Sequence, residues 1–96
     1  MEVKNIAGSP QWQEETEVAV EETTGPKLLL WNDDFNTFDF VIDSLIEICG
    51  HTPEQAEQCT LLVHYKGKCV VKTASEEILI PMNKELQNRG LTSEII

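Results

Sequence analysis

The chain has 96 residues, and its 17 acidic and 7 basic side chains give a formal net charge of −10 at pH 7. A chain of this length is expected to fold as a single small domain. Because so acidic a chain lacks the basic patch that binds nucleic-acid phosphates or an anionic membrane surface, its composition argues against both kinds of partner.

The acidic charge is concentrated near the N-terminus. Residues 1–26 hold six acids and one base, and residues 27–96 hold eleven acids and six bases, so each part carries a net −5. Clusters of turn-forming residues at Gly8–Pro10 and Thr23–Pro26 bound a polar stretch with few large apolar side chains. This composition predicts a disordered acidic extension, residues 1–26, ahead of a folded domain of residues 27–96.

The cysteines and the apolar segments indicate the compartment. No apolar run approaches the roughly 20 residues of a membrane span, and no secretory signal is apparent. Cys49, Cys59 and Cys69 are odd in number and evenly spaced, which matches neither a disulfide framework nor a zinc site. We therefore expect three reduced thiols that serve as small core side chains in a cytoplasmic protein, with no metal and no cofactor.

The folded domain is predicted to begin with a strand and a helix. Leu28–Trp31 is a continuous apolar run, which predicts a buried strand that ends in the polar loop Asn32–Asp34. Thr37 is a good N-cap for the helix that follows, because apolar residues then recur at three- and four-residue spacing as far as Gly50. Glycine is the residue that most often follows the end of a helix.

The next helix has the clearest start signal in the chain. The sequence Thr52–Gln55 supplies an N-cap, a proline at the first helical position and a capping box. The apolar spacing extends this helix to about Tyr65. After a turn at Lys66–Lys68, the β-prone segment Cys69–Thr73 predicts the second strand.

A third helix and a last strand complete the domain. Ser75 is the expected N-cap of the helix, which should end at Arg89–Gly90. Pro81 lies inside it and removes a backbone donor, so we expect a kink or a restart there. The segment Leu91–Ile96 is then the third strand.

The resulting order is β-α-α-β-α-β, with no short hairpin turn between strands. This order predicts an α+β sandwich, in which three helices lie on a face of one small three-stranded sheet. The pattern leaves the strand directions open.

Two places in the sequence are candidates for binding. Asn32, Asp33 and Asp34 directly follow a buried strand, and in an extended chain Asn32 and Asp34 point to one side and Asp33 to the other. Their oxygens suit an ammonium group or a metal ion, whereas the alternative interpretation is a turn with Asx caps. His64 lies near the end of the second helix, where a histidine is more often structural or exposed than functional.

The sequence contains no recognisable catalytic arrangement. No cysteine stands at a glycine-rich helix start that would lower its pKa, and no phosphate-binding glycine loop or EF-hand spacing is present. We therefore interpret the domain as a binding module and not as an enzyme. Two alternatives stay open, a carrier protein modified on Ser44 and an acidic metal-binding module that uses Asp33, Asp34 and His64.

Two segments at matched spacing resemble one known family. The stretch Leu28–Asp43 resembles the strand–loop–helix of the Clp protease adaptor ClpS, in which N-D-D follows an aliphatic strand, and Leu62–Lys68 is similar to the family's V-H-x-x-G-K segment. The resemblance implies an adaptor for N-degrons, which are substrates whose first residue is Leu, Phe, Tyr or Trp. It also implies delivery to the N-terminal domain of a Clp AAA+ unfoldase of the ClpA or ClpC type, with the N-terminal extension engaged during hand-over.

The same resemblance implies roles for particular residues. Asn32, Asp34 and His64 would surround the substrate's α-amino group, and Asp33 would support the loop. An ammonium group has three donors, so three acceptors would satisfy it. The implied pocket for the first side chain consists of Trp31, Phe38, Val41, Thr60 and Val63.

The chain departs from the family pattern at several positions. Many members have Met where Phe38 and Thr60 stand, often Pro in place of Thr37, and Gly near Val71–Lys72. We expect a larger residue at position 38 and a smaller one at position 60 to change which first residues fit. Ile95 is the candidate for the pocket contact from the C-terminal part of the chain.

Overall fold

The computed structural model describes residues 25–96, so all but the last two residues of the extension expected over residues 1–26 lie outside it. The elements are β1 (Lys27–Trp31), α1 (Phe38–Cys49), α2 (Pro53–Lys66), β2 (Lys68–Thr73), α3 (Glu76–Asn88) and β3 (Thr92–Ile95). The predicted α+β order is thereby confirmed. In the described part of the chain, no helix is both long enough and apolar enough to cross a bilayer.

The sheet has the order β2-β1-β3, and β1 runs antiparallel to both neighbours. The central position explains why β1 is a continuous apolar run, since Leu28, Leu29 and Leu30 are all buried. Leu28 and Leu30 belong to the same core cluster as buried residues of all three helices. The helices therefore cover that face of the sheet. Trp31, at the end of β1, lies near the start of α1.

Side-chain caps fix where α1 and α2 begin. The Thr37 hydroxyl accepts a hydrogen bond from the Phe40 N–H at 3.1 Å. At α2 the capping box is complete, because Thr52 Oγ1 accepts from Gln55 N at 3.1 Å and Gln55 Oε1 accepts from Thr52 N at 2.9 Å. Gly67 ends α2 with φ +94°, a left-handed conformation that favours glycine.

The expectation of a restart at Pro81 is wrong, because α3 runs without interruption from Glu76 to Asn88. Pro81 leaves the carbonyl of Glu77 without its usual helical donor, but both residues are exposed, so water can satisfy that carbonyl. Leu79 and Leu86 are fully buried on either side of the proline and hold the helix on the core. Ser75 lies at the N-cap position with extended backbone, but its side chain makes no capping hydrogen bond.

The cysteines lie in or against the core, as expected. Cys49 is buried within it, and Cys59 and Cys69 are partly buried and pack against it. All three are free thiols. The core cluster consists of Leu28, Leu30, Val41, Leu45, Cys49, Ala56, Val63, Val71, Leu79, Leu86 and Leu91.

Candidate functional site

A pocket of about 310 Å³ lies at the end of β1, where the loop after the strand meets the first turn of α1 and the last turns of α2. The structure brings all nine residues of the predicted site together around it. These are Trp31, Asn32, Asp33, Asp34, Phe38, Val41, Thr60, Val63 and His64. Leu30, Asn36, Thr37 and Leu91 complete the lining.

The floor of the pocket is apolar and continuous with the core. Leu30, Val41, Val63 and Leu91 all line it and are all buried. Thr60 is only 3% exposed, and its hydroxyl donates to the Ala56 carbonyl at 2.7 Å. Because that hydroxyl is satisfied within α2, Thr60 behaves as a small wall residue without an unpaired polar group.

Polar side chains lie at the mouth of the pocket. Asn32, Asp34 and His64 are exposed and line its rim. The backbone N–H of Asn32 donates to the Gly67 carbonyl at 2.9 Å, which holds the loop after β1 against the end of α2. Within residues 25–96 none of the three side chains has a hydrogen-bond partner, so their acceptor atoms are available to a ligand at the rim.

The carboxylate of Asp33 accepts hydrogen bonds from other residues of the loop. Its Oδ1 accepts from the N–H groups of Phe35 and Asn36, each at 2.9 Å, and its Oδ2 accepts from Asn36 Nδ2 at 2.9 Å. Partial burial acts to raise the pKa of Asp33, but the hydrogen bonds from Asn36 and Phe35 outweigh it and lower the pKa below its ordinary value of 3.8. The Asx-turn interpretation therefore holds for this one residue of the motif.

Asn36 is a site residue that the sequence analysis missed. Its Nδ2 group bonds both Asp33 Oδ2 and the Gly90 carbonyl, at 2.9 and 3.1 Å. Asn36 thereby ties the loop after β1 to the turn between α3 and β3, which carries Leu91. The signal was an asparagine three residues after Asp33, a spacing at which an Asx turn brings the two side chains together.

Trp31 is held at the sheet side of the pocket. Its Nε1 donates to Glu94 Oε2 of the neighbouring strand at 2.9 Å. The Lys68 ammonium lies 5.2 Å from the ring centroid, within cation–π range. Both contacts cross between adjacent strands, so the orientation of the indole is fixed by β2 and β3 together.

Comparisons with known proteins identify the family of this chain. The sequence profile of the family described as "ATP-dependent Clp protease adaptor protein ClpS" matches residues 21–94. The chain belongs to the ClpS family. The ClpS adapter protein of Nitratidesulfovibrio vulgaris is 41% identical over 71 aligned positions, and the match covers 68% of this chain and 71% of that protein. The adapter protein of a Nostoc species is 37% identical over 67 residues, or 69% of each chain.

The fold recurs in a solved structure of Agrobacterium tumefaciens ClpS2 bound to L-phenylalaninamide. The two structures agree with a TM-score of 0.71 at 22% sequence identity, over 74% of this chain and 93% of the other. At that identity the likeness concerns the fold. The ClpS relatives of this chain are named as adapters of a protease and not as enzymes.

Two other expectations fail against the structure. Ile95 does not line the pocket, because it pairs with Leu28 near the opposite end of β1. The contact from this part of the ClpS-family domain is Leu91 instead. The carrier-protein alternative needs an accessible Ser44, but Ser44 is 0% exposed and its hydroxyl donates to the Phe40 carbonyl at 2.8 Å.

The metal-binding alternative finds no support either. Among residues 25–96, no three His, Cys, Asp or Glu side chains converge in a way that could hold a metal ion. The carboxylate of Asp33, which that alternative requires, already accepts hydrogen bonds from Asn36 within the loop.

Proposed function

We propose that this ClpS-family chain is a non-enzymatic adaptor that binds the free α-amino group and the bulky hydrophobic first side chain of N-degron substrates. It delivers these substrates to a Clp AAA+ unfoldase of the ClpA or ClpC type. The observation that supports the proposal is one pocket with exposed acceptors at its mouth and buried apolar residues at its floor. A chain terminus with a free amino group and an apolar side chain has the matching chemistry.

In the proposed complex, the amino group is bound at the rim. An ammonium group has three N–H donors, and Asn32 Oδ1, an Asp34 carboxylate oxygen and one unprotonated ring nitrogen of His64 are three acceptors on the same rim. Asp33 keeps the loop in shape from within. An acetylated terminus would lose two donors and the charge, and the rim acceptors would then be left unpaired.

The first side chain of the substrate occupies the apolar part. Val41 of α1 and Val63 of α2 belong to the buried floor, and burial of a Leu or Phe side chain against them is worth roughly 1.5–3 kcal/mol. Phe38 at the mouth and Thr60 in the wall set which side chains fit. L-phenylalaninamide, which is bound in the ClpS2 structure, has a free α-amino group and an aromatic side chain, and so supports this ligand class.

The deciding experiment compares two peptides that differ only at the N-terminus. A fluorescent peptide that begins with Phe should bind the chain, and its N-acetylated form should bind at least about tenfold more weakly, because a charged hydrogen bond is worth more than about 1.4 kcal/mol. A peptide with free N-terminal Ser is the matched control for the side-chain pocket. Equal binding of the free and acetylated Phe peptides would contradict the proposal.

We further infer that two segments of the chain have different functions. Residues 27–96 would form the substrate-binding domain, and residues 1–26 would be the segment that the unfoldase engages during hand-over. The acidity of residues 1–26 and the scarcity of large apolar side chains between Pro10 and Thr23 support this inference. A chain that begins at Gly25 should still bind the Phe peptide but should fail to stimulate degradation of a Phe-initiated substrate by the unfoldase and its peptidase. Undiminished stimulation would argue against a role for the segment.

A further inference from the structure

Arg89 is the only arginine of the chain, and it directly follows the last residue of α3. Its Nη2 lies 2.6 Å from Glu47 Oε1, and its Nη1 donates to Ser44 Oγ at 3.3 Å. Ser44 and Glu47 are three positions apart on α1, so they lie on one face of that helix. Arg89 therefore joins the end of α3 to the middle of α1.

Ser44 gives this contact a buried end. Its hydroxyl hydrogen is already donated to the Phe40 carbonyl at 2.8 Å, but a hydroxyl oxygen can also accept, and the bond that it accepts comes from Arg89. Glu47 is exposed, and an ion pair with an exposed partner contributes little to stability by itself. The contact therefore matters mainly through where it holds the segment that follows Arg89.

The segment after Arg89 ends α3 in a Schellman motif. The N–H of Gly90 donates to the Gln87 carbonyl at 2.9 Å, and the N–H of Leu91 donates to the Leu86 carbonyl at 3.0 Å. Gly90 has φ +86°, a left-handed conformation that favours glycine. Leu86 and Leu91 are both buried in the core cluster. The motif leaves Leu91 little freedom relative to Arg89, so a contact that holds Arg89 also holds Leu91.

The turn between α3 and β3 is attached at two points to the segment that carries α1. The Gly90 carbonyl accepts from Asn36 Nδ2 at 3.1 Å just before the helix, and Arg89 bonds Ser44 in its middle. Val41 lies between Asn36 and Ser44 in the sequence. Val41 and Leu91 are both buried residues of the pocket floor, so the two attachments hold two parts of the floor together.

We propose that Arg89 is a positioning residue of the peptide pocket, which fixes Leu91 relative to Val41 and thereby the size of the first side chain that the pocket prefers. This inference rests on the proposed function, because it concerns the pocket for the first side chain. Arg89 does not itself line the pocket, so it acts through the turn that it holds. A guanidinium suits this role, because its separate nitrogens reach two acceptors at once in a fixed geometry.

Loss of the contact changes the pocket in a definite direction. Without Arg89, the turn that carries Leu91 is free to move away from α1. A small first side chain such as Leu then loses contact with the floor, whereas a larger one such as Trp fills the added space. In Arg89→Ala, the affinity for a peptide with free N-terminal Leu should fall by about three- to tenfold and the affinity for N-terminal Trp should fall less, so that the ratio of the two Kd values shifts at least about threefold.

The test measures both Kd values on the full chain by fluorescence anisotropy. Their ratio separates positioning from a loss of stability, because a smaller folded fraction weakens both peptides by the same factor. Lys84→Ala is the matched control, since it removes a base from an exposed position of α3 that does not line the pocket, and it should keep the wild-type ratio. Glu47→Ala removes a partner of Arg89 at an exposed position, so it should shift the ratio in the same direction and add little in the Arg89→Ala background.

A second measurement needs no peptide. In NMR spectra of the free chain, the side-chain amide resonances of Asn36, which bonds the Gly90 carbonyl, should shift in Arg89→Ala and stay in place in Lys84→Ala. The wild-type ratio in both Arg89→Ala and Glu47→Ala, or unshifted Asn36 resonances, would overturn the inference. Failure of the proposed function is distinguishable, because it appears in the wild type itself as equal binding of the free and acetylated Phe peptides.

Discussion

The rings of Phe38 and His64 meet edge to face, with their centroids 5.2 Å apart and their planes inclined by 72°. Phe38 is the first residue of α1 and His64 lies in the last turn of α2, so the contact joins the two helices at the mouth of the pocket. Such contacts are worth about 0.5–1.5 kcal/mol. Phe38, which we propose controls the entry of the first side chain and call the gate, therefore also orients His64, the proposed acceptor for the amino group.

The first prediction concerns the acceptor. His64→Ala should weaken binding of a peptide with free N-terminal Phe by about 10- to 100-fold, because a hydrogen bond to a charged group is worth about 1.5–3 kcal/mol. Fluorescence anisotropy with a labelled peptide measures the change. Glu57→Ala is the matched control, since Glu57 is exposed on the same helix and does not line the pocket. An unchanged Kd for His64→Ala would mean that the amino group is bound elsewhere.

The second prediction concerns the gate. Phe38 is 41% exposed at the mouth, so Phe38→Ala should open the pocket without leaving a buried cavity. We expect the variant to accept a broader range of first residues than the wild type and to lose about three- to tenfold in affinity for Phe, because the edge contact that orients His64 is removed. A peptide series that differs only in its first residue gives the profile. An identical preference order in both proteins would rule out a gating role.

The third prediction concerns the wall. Thr60→Met places a larger side chain in the wall of the pocket and so reduces its volume of about 310 Å³. Affinity for N-terminal Trp should therefore fall more than affinity for N-terminal Leu. Thr60→Val is the matched control, because the hydroxyl bonds only within α2 and its removal leaves the wall nearly the same shape. Competition between Trp and Leu peptides measures the ratio. A Thr60→Met variant that binds the two in the wild-type ratio would show that position 60 does not select.

Local sequence signals predicted most of the fold. The capping residues Thr37, Thr52 and Gln55 make the hydrogen bonds that their spacing indicated. The apolar run Leu28–Leu30 lies in the central strand, where both edges are paired. The resemblance at Asn32–Asp34 and His64 located the pocket, because residues 32 positions apart in the sequence lie on one rim.

Tertiary contacts account for what the sequence did not predict. Pro81 stays inside a helix because Leu79 and Leu86 bind α3 to the core on both sides of it. Leu91 reaches the pocket in place of Ile95 because of the register of β3 against β1. Strand directions depend on how the elements pack, and no local pattern encodes them.

The fourth prediction tests the start of α2. Thr52→Ala should lower the free energy of unfolding by about 1 kcal/mol, because it leaves the Gln55 N–H without its cap acceptor. Ser75→Ala is the matched control, since Ser75 occupies the same position before α3 but makes no side-chain cap bond. Urea denaturation followed by circular dichroism compares the two. Equal losses in both variants would contradict the importance of the hydrogen bond itself.

The fifth prediction links Asn36 to the acid stability of the loop after β1. The folded state lowers the pKa of Asp33 below 3.8, so the stability that its carboxylate contributes is complete above that value and is lost as the pH falls through the lowered pKa. Asn36→Ala removes the Nδ2 donor, so the pKa of Asp33 should rise toward its ordinary value, and the loss of stability on acidification should begin at a higher pH. An NMR titration of the Asp33 carboxyl carbon checks the cause directly. Asn88→Ala, an exposed residue at the end of α3, is the control. A variant Asp33 that titrates at or below the wild-type pH would show that Asn36 does not hold the carboxylate.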